Sequence, residues 1–346
     1  MQSGHRCALA RRGDPRAFGT TSLLTATRRA LLASALLAAM SWHPPASAAA
    51  PKAGFQVPGF FRTQVGDFEV TSLIDGPLSF PPTLMKADQD QVTQMIARDF
   101  PSDPPNFNAS LAGFLVNTGR QLILVDTGLG HFGNTPGTGK LVTNLRAAGY
   151  RPEQVDLVLI THLHLDHVGG LLTKDNKRAF PNAIVRMAQA ESDFWLSKQQ
   201  ADSAPKQMQY LFNDAREAAA PYQAAGKWKP FSGADELAPG VRPYPLAGHT
   251  PGHSGYEFSS RGERLLAWGD TLHMAPVQFP HPEIGIAFDV DPQQATEQRL
   301  KLLDALADDK SVIIAGAHIG FPSLGRLRRQ DNGYVWVPVR YAPAPR

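Results

Sequence analysis

Thr161-His162-Leu163-His164-Leu165-Asp166-His167 follows directly on the apolar run Val155 to Ile160, and this junction decides how the chain is read. An apolar run of that length predicts a buried strand. Imidazole and carboxylate side chains are what zinc and similar divalent ions accept, and alternate spacing lets them converge on one side of a loop. With 11 histidines and 31 acidic residues among 346, a chance origin for the four-position pattern is about one in a thousand. One such run could still form a single closed structural site. Three more polar residues also stand just past predicted strands. His249 follows Val241 to Leu246, Asp270 follows Arg264 to Trp268, and His318 follows Ser311 to Ala315.

Outward from these positions the chain alternates strand and helix signals. A first strand is read at Phe68 to Ile74, ended by Asp75-Gly76-Pro77, after an extended arm from Pro51 to Thr63. A short helix is read at Ala87 to Asp99, and a proline-rich loop at Pro101 to Asn108. A hairpin is expected from Leu111 to Asn117 and Gln121 to Val125, which leads into Asp126-Thr127-Gly128. Helices are expected at Lys140 to Gly149, Gln189 to Lys198, within Ala204 to Ala225, and at Pro292 to Ala307. Further strands are expected at Ala183 to Met187 and Gly255 to Ser259, and the aromatic, proline-rich tail is left without an element. Interleaved helices and strands with hairpins at both ends favour a layered α/β architecture.

The first 50 residues carry arginines, an apolar run from Ala30 to Met40, and the small residues Ala46 to Ala50, the pattern of a cleaved export signal. The run is too short for a permanent membrane helix, so no stable membrane association is expected. Thr27-Arg28-Arg29-Ala30-Leu31-Leu32 favours twin-arginine export over the general secretory route, and a periplasmic or secreted location. The mature catalytic domain is then 51–346. Six of the 34 basic residues and one of the 31 acidic residues precede Ala49, leaving 28 and 30, a net formal charge of −2. No basic excess remains to argue for nucleic acid. The sole cysteine, Cys7, lies in the leader, so the mature chain has no disulfide, thiolate ligand or thiol nucleophile.

Taken together, the run His162-x-His164-x-Asp166-His167, the later His249, Asp270 and His318, and the turn Asp126-Thr127-Gly128 resemble the metallo-β-lactamase superfamily. The resemblance extends from Phe68 to about Val339. Within the superfamily, the stretches Gly66 to Glu69, Phe114 to Gly119, Ala190 to Ser197 and Lys229 to Gly233 resemble the exported lactonase- and esterase-like branch that includes methyl parathion hydrolase. This implies a four-layer αβ/βα sandwich with two divalent metal ions at one edge. Zinc is the expected ion, while manganese, cobalt and iron also suit the ligands.

By the same resemblance His162, His164 and His249 hold the first metal, Asp166, His167 and His318 the second, and Asp270 bridges them. Asp166 and Asp270 are the catalytic candidates. Two divalent ions, two aspartates and a bridging hydroxide sum to +1, a charge suited to hydrolysis through an anionic transition state. The implied activity is attack on a small neutral ester-like substrate, whether phosphotriester, lactone or aryl ester. A homodimer is a further implication.

Asp126 is expected to support the ligands by hydrogen bonds, or merely to order its turn. His253 is expected to hold a turn or a ligand, and His131 and His281 to be loop residues. By the same resemblance Phe132, Trp195 and Phe212 are candidates for the substrate pocket, against plain core packing. His273, three residues past Asp270, is a further pocket candidate where the resembling branch is apolar. Four rivals remain. An iron oxidoreductase of the persulfide dioxygenase kind would use fewer or different ligands, and a nuclease would be more basic. A β-lactamase lacks aspartate at the bridging position, and a non-catalytic binding protein would be expected to have lost ligands.

Overall fold

The apolar runs that precede His162, Asp270 and His318 end in strands buried on both faces, whereas Val241–Pro245, before His249, alternates buried and exposed residues. In the computed structural model, which describes residues 50–98, 106–133 and 136–342, the chain divides into the units Met1–Gln56 and Val57–Arg346. All the elements below belong to the second unit. The export signal expected over residues 1–50 lies, apart from Ala50, outside the described residues, with its arginine pair and Cys7, as does most of the loop expected at 101–108. No described helix is long and apolar enough to cross a membrane.

Twelve strands among the described residues make two six-stranded mixed sheets. The first runs in chain order, with β1 (Phe60–Val65), β2 (Phe68–Phe80), β3 (Phe107–Asn117), β4 (Leu122–Val125), β5 (Leu157–Leu159) and β6 (Ile184–Arg186). Its last two pairings are parallel. The second holds β7 (Val241–Pro245), β8 (Ser254–Ser260), β9 (Glu263–Ala267), β10 (Val312–Ala315), β11 (Leu324–Gln330) and β12 (Gly333–Pro338), with β9 and β10 parallel.

Alternation along the strands sorts side chains between layers. Ile123 and Val125 of β4 and Leu265 and Ala267 of β9 meet in the core between the sheets. Their neighbours Leu122 and Leu124 face the other way, under α2 (Leu141–Ala147), α4 (Gln189–Leu196) and α6 (Gln209–Ala224). Leu266 and Ile314 pack beneath α8 (Pro292–Leu306). The result is the expected αβ/βα sandwich. The remaining α-helices among the described residues are α1 (Gln89–Ala97), α3 (Leu165–Val168), α5 (Lys198–Ser203) and α7 (Ala275–Gln278).

Three readings of the sequence are corrected. Asp75-Gly76-Pro77 does not end the first strand, because β2 continues through a register shift between Ile74 and Gly76 against β3. Proline is tolerated there because β1 pairs with β2 only as far as Leu73, so Pro77 lies on an open edge. Asp75 is turned inward by this bulge, and its carboxylate accepts from Leu129 N, Gly139 N and Leu141 N. The arm is not merely extended, since Phe60–Val65 pairs with β2 through a turn at Gly66, whose φ is 56°. The tail forms the β11–β12 hairpin, whose polar Arg326, Arg328 and Arg329 hid its alternation.

Parallel neighbours β4 and β5 end together, as do β9 and β10. Asp126, the 161–167 run, Asp270 and His318 therefore all emerge at strand C-termini, where ligands bind in open α/β sheets. Helix α8 is tied to the same edge, since Asp291 N donates to Gly248 O and the Asp291 side chain accepts from Gln294 N at 3.0 Å. Asp291→Ala removes that cap and should lower stability by about 1 kcal/mol. Chemical denaturation of wild type and variant checks it, and an unchanged midpoint would show that the cap contributes nothing.

Candidate metal centre

Seven predicted ligands converge into two groups that share one carboxylate. His162, His164, His249 and Asp270 form one group, and Asp166, His167, Asp270 and His318 the other, with each group's ligand atoms within 4.8 Å of one another. In the first, His162 Nε2 and His249 Nε2 lie 3.0 and 3.1 Å from His164 Nδ1. Both also lie close to Asp270 Oδ2, at 3.5 and 3.4 Å. In the second, His167 Nε2 and His318 Nε2 are each 3.1 Å from Asp270 Oδ1, and 3.4 and 3.5 Å from Asp166 Oδ2. Donors about 2.0–2.1 Å from a tetrahedral zinc stand about 3.3 Å apart. These spacings fit that edge.

The donors also fit a cation by what they lack. His167 Nε2 and Asp270 Oδ1 are buried and close, yet neither has a hydrogen-bond partner among the described residues. Two such atoms aimed at one point, rather than at each other, suit a shared positive charge. Protonation points the same way. Burial, and then the neighbouring imidazole of His249, push His164 down to about 3, and His162 is likewise held well below the usual histidine range. Both are thus neutral, as ligation requires. Burial opposes charge on His167, but Asp270, Asp166 and Asp126 overcome it and hold its pKa well above the usual range. Burial also opposes ionisation of Asp270, yet His167 and His318 keep it ionised far below the carboxylate range.

The orientations of His162, His167 and His249 have visible causes. Asp126 adopts a φ of 56° directly after β4, which turns its carboxylate under the 161–167 loop. Its Oδ1 accepts from Thr161 N at 2.8 Å, and its Oδ2 from Thr161 Oγ1 and His167 Nδ1, both at 2.8 Å. Thr161 Oγ1 in turn lies 3.1 Å from His162 Nδ1. Since the hydroxyl proton goes to Asp126, the oxygen accepts from that ring. One carboxylate therefore fixes an imidazole of each group with Nε2 turned inward. His249 Nδ1 is held by Asp289 at 2.9 Å. His253 is not available to a metal, because Nδ1 donates to Leu246 O and Nε2 accepts from Asp270 N, both at 3.0 Å. It fixes the backbone of the shared aspartate instead.

The pocket candidates separate. His273 is inside the site, with Nε2 3.0 Å from Asp270 Oδ2 and its ring stacked on His318. Trp195 touches the site from behind, edge-on to His164 with ring centroids 5.3 Å apart. Phe212 is 3% exposed and packs behind Trp195, with ring centroids 4.7 Å apart and the planes tilted by 49°, so it touches no ligand ring. Phe132 is half-buried on the loop beside Gly170 and packs on His131. His281 pairs with Glu283 at the surface.

Sequence reasoning missed Asp289, Thr161, Glu191, Phe80 and Phe288. Phe80 lies 5.5 Å from the His318 ring, and Phe288, 40% exposed, lies 6.4 Å from that of His273. Only Thr161 carried a signal, as the hydroxyl residue between strand and ligands. The side of the site at Leu165 and Asp166 is partly open to solvent.

The profile of the metallo-β-lactamase superfamily matches residues 107–318, from the start of β3 to the last ligand. The chain belongs to the metallo-β-lactamase superfamily. Among solved structures, a hydrolase of the β-lactamase superfamily, AbOPH, is 38% identical, with a TM-score of 0.79 over 83% of this chain and all of that one. The dizinc quorum-quenching lactonase AidC, solved with a product, is 28% identical, with a TM-score of 0.75 over 82% of this chain and 98% of that one. An N-acyl homoserine lactonase of Bacillus thuringiensis is 25% identical over 226 residues, 60% of this chain and 80% of the relative. With two ligand groups sharing an aspartate, this superfamily member is a metal-dependent hydrolase with a dinuclear site.

Because Asp126 orients a ligand of each group, Asp126→Ala should weaken both metal-binding steps by about 10- to 100-fold. Competition with a chromophoric chelator measures each step. Wild-type affinity at either step would show that the Asp126 contacts order the turn and nothing more.

Proposed function

We propose that the chain hydrolyses small neutral lactones, with His162, His164 and His249 holding one divalent ion, Asp166, His167 and His318 the other, and Asp270 bridging. The observation that carries this reading is Asp270, whose Oδ2 faces the His162 and His249 nitrogens while its Oδ1 faces that of His167, with the His318 nitrogen beside both oxygens. Two divalent ions held by these residues would lower the pKa of bound water, giving a nucleophile at neutral pH, and would polarise the bond under attack.

The residues themselves account for the rest. Asp270 is held at three points, with its backbone N–H on His253 and its Oδ2 against His273 and His318. Its two oxygens therefore cannot swing away from either imidazole group without breaking one of these contacts. Phe80 and the 40% exposed Phe288 set apolar, aromatic rings against the buried His273 and His318. Apolar walls around a few fixed polar groups suit a small uncharged substrate better than a charged one. The lactone class is supported by the named activities of AidC and of the Bacillus relatives. Aryl esters and phosphotriesters present the same kind of polarised, neutral centre and are the proper comparison.

The test is a panel of lactones, aryl esters and phosphotriesters, followed by acid release and run with metal-replete protein. Lactones should show the highest kcat/KM. Asp270→Ala should lose more than about 100-fold, beyond the cost of removing a group that only orients a ligand. Turnover of aryl esters or phosphotriesters with none of lactones would replace the substrate class. Full activity in the Asp270→Ala protein would remove the bridging role.

A further inference from the structure

Glu191 lies in the first turn of α4 and is completely buried. Its partners are three donors, none of them a charged side chain. Oε1 accepts from Leu163 N at 2.8 Å, while Oε2 accepts from Thr250 Oγ1 at 2.7 Å and Gly252 N at 2.9 Å. Leu163 is the residue between His162 and His164, and Thr250 immediately follows His249. The first loop leaves β5 of one sheet and the second leaves β7 of the other. A single carboxylate thus fastens together the two loops whose three imidazoles meet 3.0 and 3.1 Å apart.

The packing around it leaves no slack. A Cβ at position 252 would lie 2.2 Å from Glu191 N, so the His249 turn rests directly on the start of α4. Burying a carboxylate is costly, and burial pushes the Glu191 pKa up against the pull of its hydrogen bonds. A tie needed only for cohesion could be made from apolar packing, which is often as stable as or more stable than a buried charge. Among the described residues no carboxylate ties the loops of the second ligand group together in the same way. Asp166 and His167 are adjacent in sequence, and the buried Nδ1 of His318 has no hydrogen-bond partner among the described residues.

We propose that Glu191 is a positioning residue for the first metal, setting the placement of His162 and His164 relative to His249. This rests on the ligand assignment above. The experiment is a stepwise Zn2+ titration of metal-free wild type, Glu191→Gln and Thr250→Val against a chromophoric chelator, repeated with Co2+ to follow its ligand-field bands. Gln offers one acceptor oxygen and turns an amide N–H toward a donor, whereas Val keeps the shape of Thr250 and removes one hydrogen bond. Glu191→Gln should weaken one binding step about 10- to 100-fold and leave the other within about twofold, while Thr250→Val shifts the same step by less. The Co2+ bands of that step should move in both variants, and excess metal should restore kcat with KM unchanged. Wild-type affinities at both steps in the variants, with only a lower unfolding temperature, would overturn the proposal. Equal weakening of both steps would overturn it too. Failure of the wild type to bind two ions would instead overturn the ligand assignment. If Glu191→Gln does not fold, Thr250→Val carries the test.

Discussion

The carboxylate of Asp270, buried between two sets of imidazoles, is the constraint on which the rest of the site depends. An ionised carboxylate buried in that position needs positive charge beside it. Without metal, His167 and His318 are pushed up toward the protonated form by Asp270 and Asp166, against the cost of burial. On the other side, His162 and His164 remain neutral because burial among like rings leaves them no room for a proton. The two halves therefore differ before any ion arrives. One offers lone pairs outright, and the other exchanges a proton for a cation.

Holding that arrangement takes a layer of buried acids, each acting on a different part. Asp126 reaches His167 directly and His162 through Thr161. Asp289 fixes His249, and Glu191 joins the two loops of the first group. The sandwich makes this possible because β5 and β7 belong to different sheets yet deliver their loops to one edge. Loop geometry is then set by hydrogen bonds between sheets rather than by either sheet alone. The segment from Asp270 to Asp289 is stiffened similarly, with Gln278 gripping the backbone of His273, Met274 and Ile284, and Arg299 that of Pro282 and Ile284.

Much of this was legible in the sequence, for a physical reason. Strands buried on both faces read as apolar runs, and ligands placed at their ends stand out as the first polar residues after them. That is why His162, Asp270 and His318 could be found by position. What the sequence hid were residues whose role depends on contact across the fold. Glu191 reads as an ordinary first-turn helix acid, and Asp289 as one more polar residue in a loop. Phe80 lay beyond a turn signal at Gly76-Pro77 that proved to be a bulge, so its place beside His318 could not be seen. Trp195 and Phe212 carried the same aromatic signal, yet only Trp195 reaches a ligand, because alternate positions of packed helices face different layers.

The central claim is that Asp270 lies between two metal ions. Anomalous diffraction from crystals of metal-replete protein tests it most directly. The account predicts two peaks about 3.5–4 Å apart, one against His162, His164 and His249 and the other against Asp166, His167 and His318, with one Asp270 oxygen on each. A single peak in metal-saturated crystals, or two peaks with Asp270 turned away from one of them, would contradict it.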